Sequence, residues 1–199
     1  MKYNLSEVTE LIRNRRSIAP EHFGARKVHR EQVELMLINA YWAPNHGLTQ
    51  PWRFVVMNDE SKMELAELAF FCATNEKDPK DINLHKVQRM KDRILTASVV
   101  IAVNMHRDPA QKVPEWEEVA AMGAAVQNLH LTATAYGLAG FWATPSVIQH
   151  ASMRDFLQLT DGMTCLGFFY LGYPKEDGEF KSHRKPLEYV TTWRMSDEG

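Results

Sequence analysis

The feature that most constrains the fold is an uninterrupted apolar run at residues 98–103, Ser-Val-Val-Ile-Ala-Val. The run is rich in β-branched residues and does not alternate with polar ones, which is typical of a strand covered on both faces. Residues 138–143 and 164–173 are further apolar segments that we predict to be buried strands. Because helical patterns separate these segments, the sequence predicts a three-layer α/β or α+β sandwich.

Periodic apolar residues and capping signals predict the other elements. We expect a first helix capped by Ser6 that ends at residues 15–17, just before Pro20. A long helix is expected to start at Pro114 and to close at Gly137, with small residues that would let another helix approach closely. The remaining predictions are helices at residues 30–42, 58–71 and 152–157, a strand at 53–57, an exposed polar span at 74–93 and a β-prone segment at 189–193.

Composition excludes several classes of function. The chain has 199 residues, 45% of them hydrophobic, so we expect a single domain over residues 1–199. A net charge of −2 gives no electrostatic footprint for nucleic acid or for an anionic membrane. No segment approaches the roughly 18 apolar residues of a membrane helix. Cys72 and Cys165 lie far apart in apolar surroundings, so we expect buried thiols in a protein of the reducing cytoplasm.

Common catalytic and nucleotide-binding signatures are absent from the sequence. It has no Gly-x-Gly-x-x-Gly after a strand, no P-loop, no His-Glu-x-x-His, no paired Cys-x-x-Cys and no Gly-x-Ser-x-Gly. Its eight histidines do not form a set with metal-ligand spacing, so no metal site is expected. His130 falls on the apolar stripe of the long helix, where a core histidine with satisfied hydrogen bonds is the expectation.

The loop at residues 43–54 concentrates polar and aromatic side chains between a helix and a strand. Pro44 and Pro51 restrict its backbone, and Gly47 permits a left-handed bend between them. The mixture of donors and acceptors beside planar rings would suit a heteroaromatic ligand. Alternatively, the segment is only a structural turn. The side chains concerned are Asn45, His46, Thr49, Gln50, Trp42 and Trp52.

Two cationic points lie near opposite ends of the chain. Arg15-Arg16-Ser17 places two guanidinium groups and a hydroxyl at one helix end, which matches the chemistry of a phosphate. Alternatively, they are solvated cations that complement the helix macrodipole. Arg184 and Lys185 form the second point, with an exposed basic turn as the alternative.

Taken together in their order along the chain, four motifs resemble the FMN-dependent nitroreductase family. They are Arg15-Arg16-Ser17; Ala43-Pro44-Asn45 followed by Gln50-Pro51-Trp52-Arg53-Phe54; the small-residue helix that leads to Tyr136-Gly137-Leu138-Ala139-Gly140; and Arg184-Lys185-Pro186-Leu187-Glu188. The resemblance implies an α+β fold: a three-layer α/β/α sandwich around a mixed, largely antiparallel sheet.

The resemblance also implies roles for individual residues around FMN. Arg15 and Ser17 would hold the ribityl-phosphate arm, Arg16 would reach the phosphate or the pyrimidine edge, and Arg184 or Lys185 would complete the phosphate site. The backbone at Gly140, Phe141 and Trp142 would approach the isoalloxazine ring.

In that family the flavin site is shared between two subunits. The resemblance therefore implies a homodimer built on helix 117–136, with the C-terminal tail from about residue 186 crossing onto the partner. The loop of one subunit would cover the flavin of the other. The loop residues concerned are Trp42 at the rim, Pro44, Asn45, His46 and Gln50.

The implied activity is the transfer of electrons from NADH or NADPH through FMN to a planar acceptor, such as a nitroaromatic, a quinone or an enone, by a ping-pong mechanism. No side chain is then required as a general acid or base, so no catalytic residue is nominated. The alternatives are a specialised flavin enzyme on the same fold and a flavin-binding sensor or store without turnover. One departure from the family pattern is Ala19, where members often carry a cation that stabilises the reduced flavin.

Overall fold

The computed structural model describes residues 3–75, 79–175 and 180–195. The helices are α1 (Leu5–Asn14), α2 (Arg30–Tyr41), α3 (Asp59–Thr74), α4 (Leu84–Thr96), α5 (Glu115–Ala135) and α6 (Ala151–Phe156). The strands are β1 (Trp52–Met57), β2 (Val99–His106), β3 (Ala139–Ala143) and β4 (Met163–Gly172). Short 3₁₀ turns occur at Pro20–His22, His46–Leu48, Pro79–Asp81, Ser146–Gln149 and Leu187–Tyr189.

The four strands form one sheet in the order β1-β2-β4-β3, and all three neighbouring pairs are antiparallel. A parallel contact is made by an isolated bridge between Ser17 and Gly140, outside the named strands. β2 is central and is buried along its length until His106. The expected strand at 98–103 and the α+β class with a largely antiparallel sheet are therefore confirmed.

A layer of helices covers each face of the sheet. Side chains alternate along β2, so Val100 and Ala102 face one core whereas Ile101 and Val103 face the other. The first core is completed by apolar residues of α3, α4 and α6, such as Leu65, Ile94 and Met153. The second is completed by α2 and α5, through residues that include Met36, Met122 and Leu129. This is the expected three-layer sandwich.

The long helix α5 begins and ends as its sequence predicts. Pro114 is its N-cap, and three glutamates occupy its first turn. Gly137 has a positive φ of 71°, and the next amide, Leu138 N–H, donates to the Ala133 carbonyl at 2.8 Å. This left-handed residue ends the helix and turns the chain into β3.

The structure corrects three local predictions. Asn4, not Ser6, caps α1, because the Asn4 Oδ1 accepts from the amides of Ser6 and Glu7 at 3.0 and 3.4 Å. Helix α3 extends beyond residue 71 to Thr74. The β-prone segment at 189–193 contains no strand; it overlaps the 3₁₀ turn Leu187–Tyr189, and its aromatic side chains are exposed.

The polar span at 74–93 contains most of α4, whose inner face carries the buried Val87. Residues 76–78 of this span lie outside the described residues. Cys72 and Cys165 are buried and do not form a disulfide, as expected. No helix in the described part of the chain has both the length and the apolar character needed to cross a membrane.

Candidate functional site

The two cationic points predicted from the sequence meet in one cleft. Arg15 and Arg16 follow the last residue of α1, and Arg184 approaches them from the C-terminal segment. The cleft has a volume of about 550 Å³. Among the residues that the structure describes, its lining contains four arginines and no carboxylate: Ile12, Arg13, Arg15, Arg16, Gln127, Ser182 and Arg184. Such a surface is complementary to an anion with several acceptor oxygens.

Hydrogen bonds to backbone carbonyls hold two of these arginines. Arg16 Nε donates to the Phe180 carbonyl at 3.2 Å, and its Nη1 donates to the carbonyls of Arg13 and Arg15 at 2.5 and 2.8 Å. Arg184 Nη1 donates to the Ser182 hydroxyl and to the His183 carbonyl. These contacts orient the guanidinium groups through carbonyl and hydroxyl oxygens.

Burial lowers the pKa of Arg15 from its ordinary value, and the positive charges of Arg184 and Arg16 lower it further. These like charges repel one another, and the repulsion would be relieved by a bound anion. The electrostatics of the cleft thus agree with the phosphate chemistry inferred from the sequence.

His130 supports this cleft from the core. The ring is 5% exposed; Nε2 donates to the Arg16 carbonyl at 3.0 Å, and Nδ1 accepts from Arg15 Nη1 at 3.4 Å. Burial, with a smaller effect from the Arg15 charge, lowers the pKa of His130 to about 4. His130 is therefore a neutral, satisfied core histidine, as expected, and it also links the two arginines, which the sequence did not indicate.

Ser17 and Gly140 connect the cleft to the edge strand β3. They form the parallel bridge, and Ile18 N–H donates to the Gly140 carbonyl at 3.1 Å. Position 140 requires glycine, because a Cβ there would lie 2.4 Å from Phe169 Cζ and 3.0 Å from the His130 ring. Phe141 and Trp142 follow directly on β3, so this part of the predicted site is continuous with the arginine cleft.

A second cleft, which the sequence did not indicate, lies at the other end of β3. It has a volume of about 400 Å³ between α4 and residues 143–147. Arg93 of α4 lines it; its guanidinium carbon lies 5.1 Å from the centroid of the Phe141 ring, and its Nε donates to Glu21 Oε1 at 2.8 Å. Cations at positions 86, 89 and 93 share one face of α4 at helical spacing, and that pattern could have suggested this cleft.

The loop after α2 has a defined shape but lines neither cleft of its own chain. His46 Nδ1 donates to Glu117 Oε2 at 2.6 Å, and Asn45 Oδ1 accepts from the Gln50 amide at 2.9 Å. Leu48 and Gln50 have positive φ values of 53° and 46°, in the left-handed region that non-glycine residues seldom adopt.

The predicted site residues therefore fall into three groups. Together in the arginine cleft are Arg15, Arg16 and Arg184; next to it, along the bridge and β3, are Ser17, Gly140, Phe141 and Trp142. The third group lines neither cleft and consists of Lys185 and the loop residues Trp42, Pro44, Asn45, His46 and Gln50. The Lys185 ammonium lies 5.9 Å from the centroid of the Tyr189 ring.

The fold and the arginine cleft define an α+β protein with a cationic cleft beside the edge of its sheet. The family described as Nitroreductase family matches residues 12–173 of this chain. The chain therefore belongs to the nitroreductase family, as its sequence motifs suggested.

Individual relatives agree with this assignment. The Bacillus subtilis protein named "Putative NAD(P)H nitroreductase YfhC" is 28% identical over 183 residues, which cover 92% of this chain and 91% of that protein. A "putative nitroreductase in complex with fmn" from Desulfovibrio desulfuricans is 28% identical, with a TM-score of 0.73 over 98% of this chain and 99% of that one. A nitroreductase-like protein from Bacillus cereus has the same fold, with a TM-score of 0.78, 24% identity and the same two coverages.

Proposed function

We propose that this protein is an FMN-dependent oxidoreductase that transfers electrons from NADH or NADPH, through FMN, to a planar acceptor by a ping-pong mechanism. The observation that carries the proposal is the cleft in which Arg15, Arg16 and Arg184 meet, with no carboxylate among the described residues that line it. The names of the relatives, an NAD(P)H nitroreductase and a nitroreductase in complex with FMN, support the same donor and cofactor. Nitroaromatics, quinones and enones are the proposed acceptors.

The arginine cleft fits the phosphate end of FMN. Arg15 and Ser17 would hold the ribityl-phosphate arm, and Arg16 would bind the phosphate or the pyrimidine edge. Arg184, which lines the cleft, is a better candidate than Lys185 to complete the phosphate site, because Lys185 lies beside Tyr189 instead. Bidentate guanidinium contacts are suited to phosphate oxygens.

The ring end of FMN would lie along β3. The Ser17–Gly140 bridge leads from the arginines to Phe141 and Trp142, and the second cleft begins at Ala143. Arg93 lines that cleft and is held by Glu21, two residues beyond Ala19. We propose that Arg93 supplies the positive charge near the reduced flavin that a cation at position 19 supplies in relatives.

Bound FMN would supply the hydride chemistry: it would accept two electrons from the nicotinamide and pass them to the acceptor. The chain's own residues would anchor the phosphate, place a positive charge near the ring and limit access to the ring to planar molecules. Donor and acceptor would approach the flavin ring in turn, so no Rossmann-type dinucleotide fold is needed. The absence of a Gly-x-Gly-x-x-Gly motif is compatible with this arrangement.

We further propose that the active form is a homodimer in which the loop of one subunit covers the flavin of the other. Within one chain, His46 contacts Glu117 near the start of α5, whereas Gln127 lines the arginine cleft ten residues later, about 15 Å along the helix. The loop therefore does not cover its own cleft. Trp42, 75% exposed, would lie at the rim of the partner's site.

Apolar surface on several elements supports the dimer. Apolar side chains of α1, α2 and α5 are exposed in one chain: Leu5, Val8, Ile12, Leu35, Ile38, Trp116 and Val119. A Cβ added at Gly123 of α5 would meet no atom within 4 Å, which leaves room for close approach of a second helix. We propose that the tail from about residue 186, with Leu187, Tyr189 and Trp193 exposed, crosses onto the partner.

An absorbance spectrum of the freshly purified protein, followed by anaerobic titration with NADH and NADPH, tests the function. The expected result is an oxidised flavin spectrum that is bleached by a nicotinamide and restored by a nitroaromatic, quinone or enone. Flavin that neither nucleotide bleaches would indicate a binding protein without turnover. A protein that is colourless and cannot be reconstituted with FMN would contradict the proposal as a whole.

A further inference from the structure

We infer that the second cleft, between α4 and residues 143–147, binds a phosphate group of the nicotinamide donor, with Lys86 and Arg89 as the binding cations. The inference rests on the proposed function, since it concerns the molecule that delivers the hydride. It assigns a position and a recognition chemistry to a donor for which the chain has no dinucleotide motif.

The charge of the cleft is the first observation. Within residues 79–175 its lining includes Lys86, Arg89 and Arg93, and the carboxylate of Asp81. Two cations of α4 form ion pairs within 4.0 Å: Lys91 pairs with Glu67, and Arg93 pairs with Glu21. Among the described residues no such pair involves Lys86 or Arg89. The Arg89 charge contributes to lowering the pKa of Glu21, but that carboxylate is ion-paired with Arg93, so Lys86 and Arg89 can still bind an external anion.

The shape of α4 is the second observation. Lys86, Arg89 and Arg93 follow one another at three- and four-residue spacing, so they project along one face of the helix. From Lys86 to Arg93 this row of cations extends about 10 Å along the axis. Arg93 marks the end near Phe141, where the ring of FMN is proposed, and Lys86 marks the far end.

The position of the cleft makes a nicotinamide nucleotide the fitting occupant. The nicotinamide must reach the flavin, whereas its phosphates must lie away from the ring. A cleft that begins at Ala143 and Thr144 and continues toward Lys86 offers both environments. The lining also includes apolar side chains, those of Ile82, Met90 and Val147. The amino end of α4 adds a favourable dipole for an anion beside Lys86.

The test compares donors with and without phosphate on the FMN-loaded protein. Stopped-flow reduction by NADPH, NADH and 1-benzyl-1,4-dihydronicotinamide gives an apparent Kd for each donor. Isothermal titration with NADP⁺ gives a binding constant without turnover. The variants are Lys86→Gln, Arg89→Gln and the double substitution. The matched control is Lys91→Gln, which removes a positive charge from the same helix outside this cleft.

The double variant is expected to raise the Kd for NADPH, NADH and NADP⁺ by about tenfold or more, as expected for lost charge-assisted hydrogen bonds. Its reaction with the phosphate-free donor, its FMN content and its spectrum should stay at the wild-type values. Equal Kd values in wild type and double variant would overturn the inference and leave the proposed function standing. An equal effect from Lys91→Gln, or an equal effect on the phosphate-free donor, would also overturn it. Failure to bind FMN at all would overturn both.

Discussion

Ser17 pairs with Gly140 in a parallel bridge, and the following amide, Ile18 N–H, donates to the Gly140 carbonyl at 3.1 Å. This contact attaches the segment after α1 to the edge strand β3. As a result, the arginines that precede Ser17 lie next to the start of β3, which carries Phe141 and Trp142. The FMN roles proposed for Arg15, Arg16 and residues 140–142 depend on this attachment.

Substitution Gly140→Ala should lower the free energy of unfolding by about 1–3 kcal/mol, because the added Cβ would overlap Phe169 and the His130 ring. Chemical denaturation measures the change. Gly24→Ala is a suitable control, since a Cβ there would meet only the Tyr173 carbonyl at 3.9 Å. Equal stability of the two variants would mean that position 140 tolerates a side chain.

Substitution Arg184→Ala should weaken FMN binding by about 10- to 100-fold, the loss expected for charge-assisted hydrogen bonds to a phosphate. Combined with Arg16→Ala, the loss should be severe; circular dichroism must verify folding, because Arg16 also bonds to Phe180. Quenching of FMN fluorescence on binding gives the Kd. Lys185→Ala is the matched control and should change the Kd little. Unchanged FMN retention in the double variant would show that the phosphate lies elsewhere.

Substitution Arg93→Gln should make the reduction potential of bound FMN more negative. Losing about 1.4 kcal/mol of stabilisation of the reduced form corresponds to roughly 30 mV for a two-electron couple. Spectroelectrochemical titration measures the potential, and Lys91→Gln serves as the control outside the cleft. A potential unchanged by Arg93→Gln would mean that another group compensates for Ala19.

Substitution Gly123→Leu should dissociate the proposed homodimer while leaving the subunit folded, because the added side chain would meet no atom of its own chain at Cβ. Sedimentation velocity reports the change of mass, and FMN should be released with it. Ala110→Leu adds the same side chain to an exposed loop and should leave the dimer intact. A wild-type monomer that retains FMN would contradict the assignment of the loop to the partner's site.

The stability of the protein should fall on acidification from about pH 6.5 to pH 4, in part because of His130. Its pKa is lowered from an ordinary 6.5 to about 4 in the folded state, so in this window the unfolded state binds more protons and gains stability. The contribution is on the order of 3 kcal/mol when complete. Urea denaturation at a series of pH values should show a shallower dependence for His130→Gln than for wild type.

Local sequence patterns predicted most of the elements because their signals are local. The β-branched run at 98–103 became part of the central strand β2, and Pro114 and Gly137 bound α5 as expected. The errors were also local. Asn4 replaces Ser6 as the cap of α1 because the helix begins at Leu5, and the Asn4 oxygen accepts from the free amides of Ser6 and Glu7 in its first turn. The segment at 189–193 has β-branched and aromatic residues but pairs with no strand of the described chain, and propensity alone does not form a strand.

The sequence by itself determined the three-layer class, the family and the identity of the cationic groups, because periodicity, capping and motif order are properties of the chain. Only the tertiary structure decided which of these groups meet. Arg184 lies in one cleft with Arg15 and Arg16, whereas Lys185 lies beside Tyr189. Arg93 lies beside Phe141 and donates to Glu21. Contacts between residues distant in the chain depend on how helices pack on the sheet, and no local propensity encodes that packing.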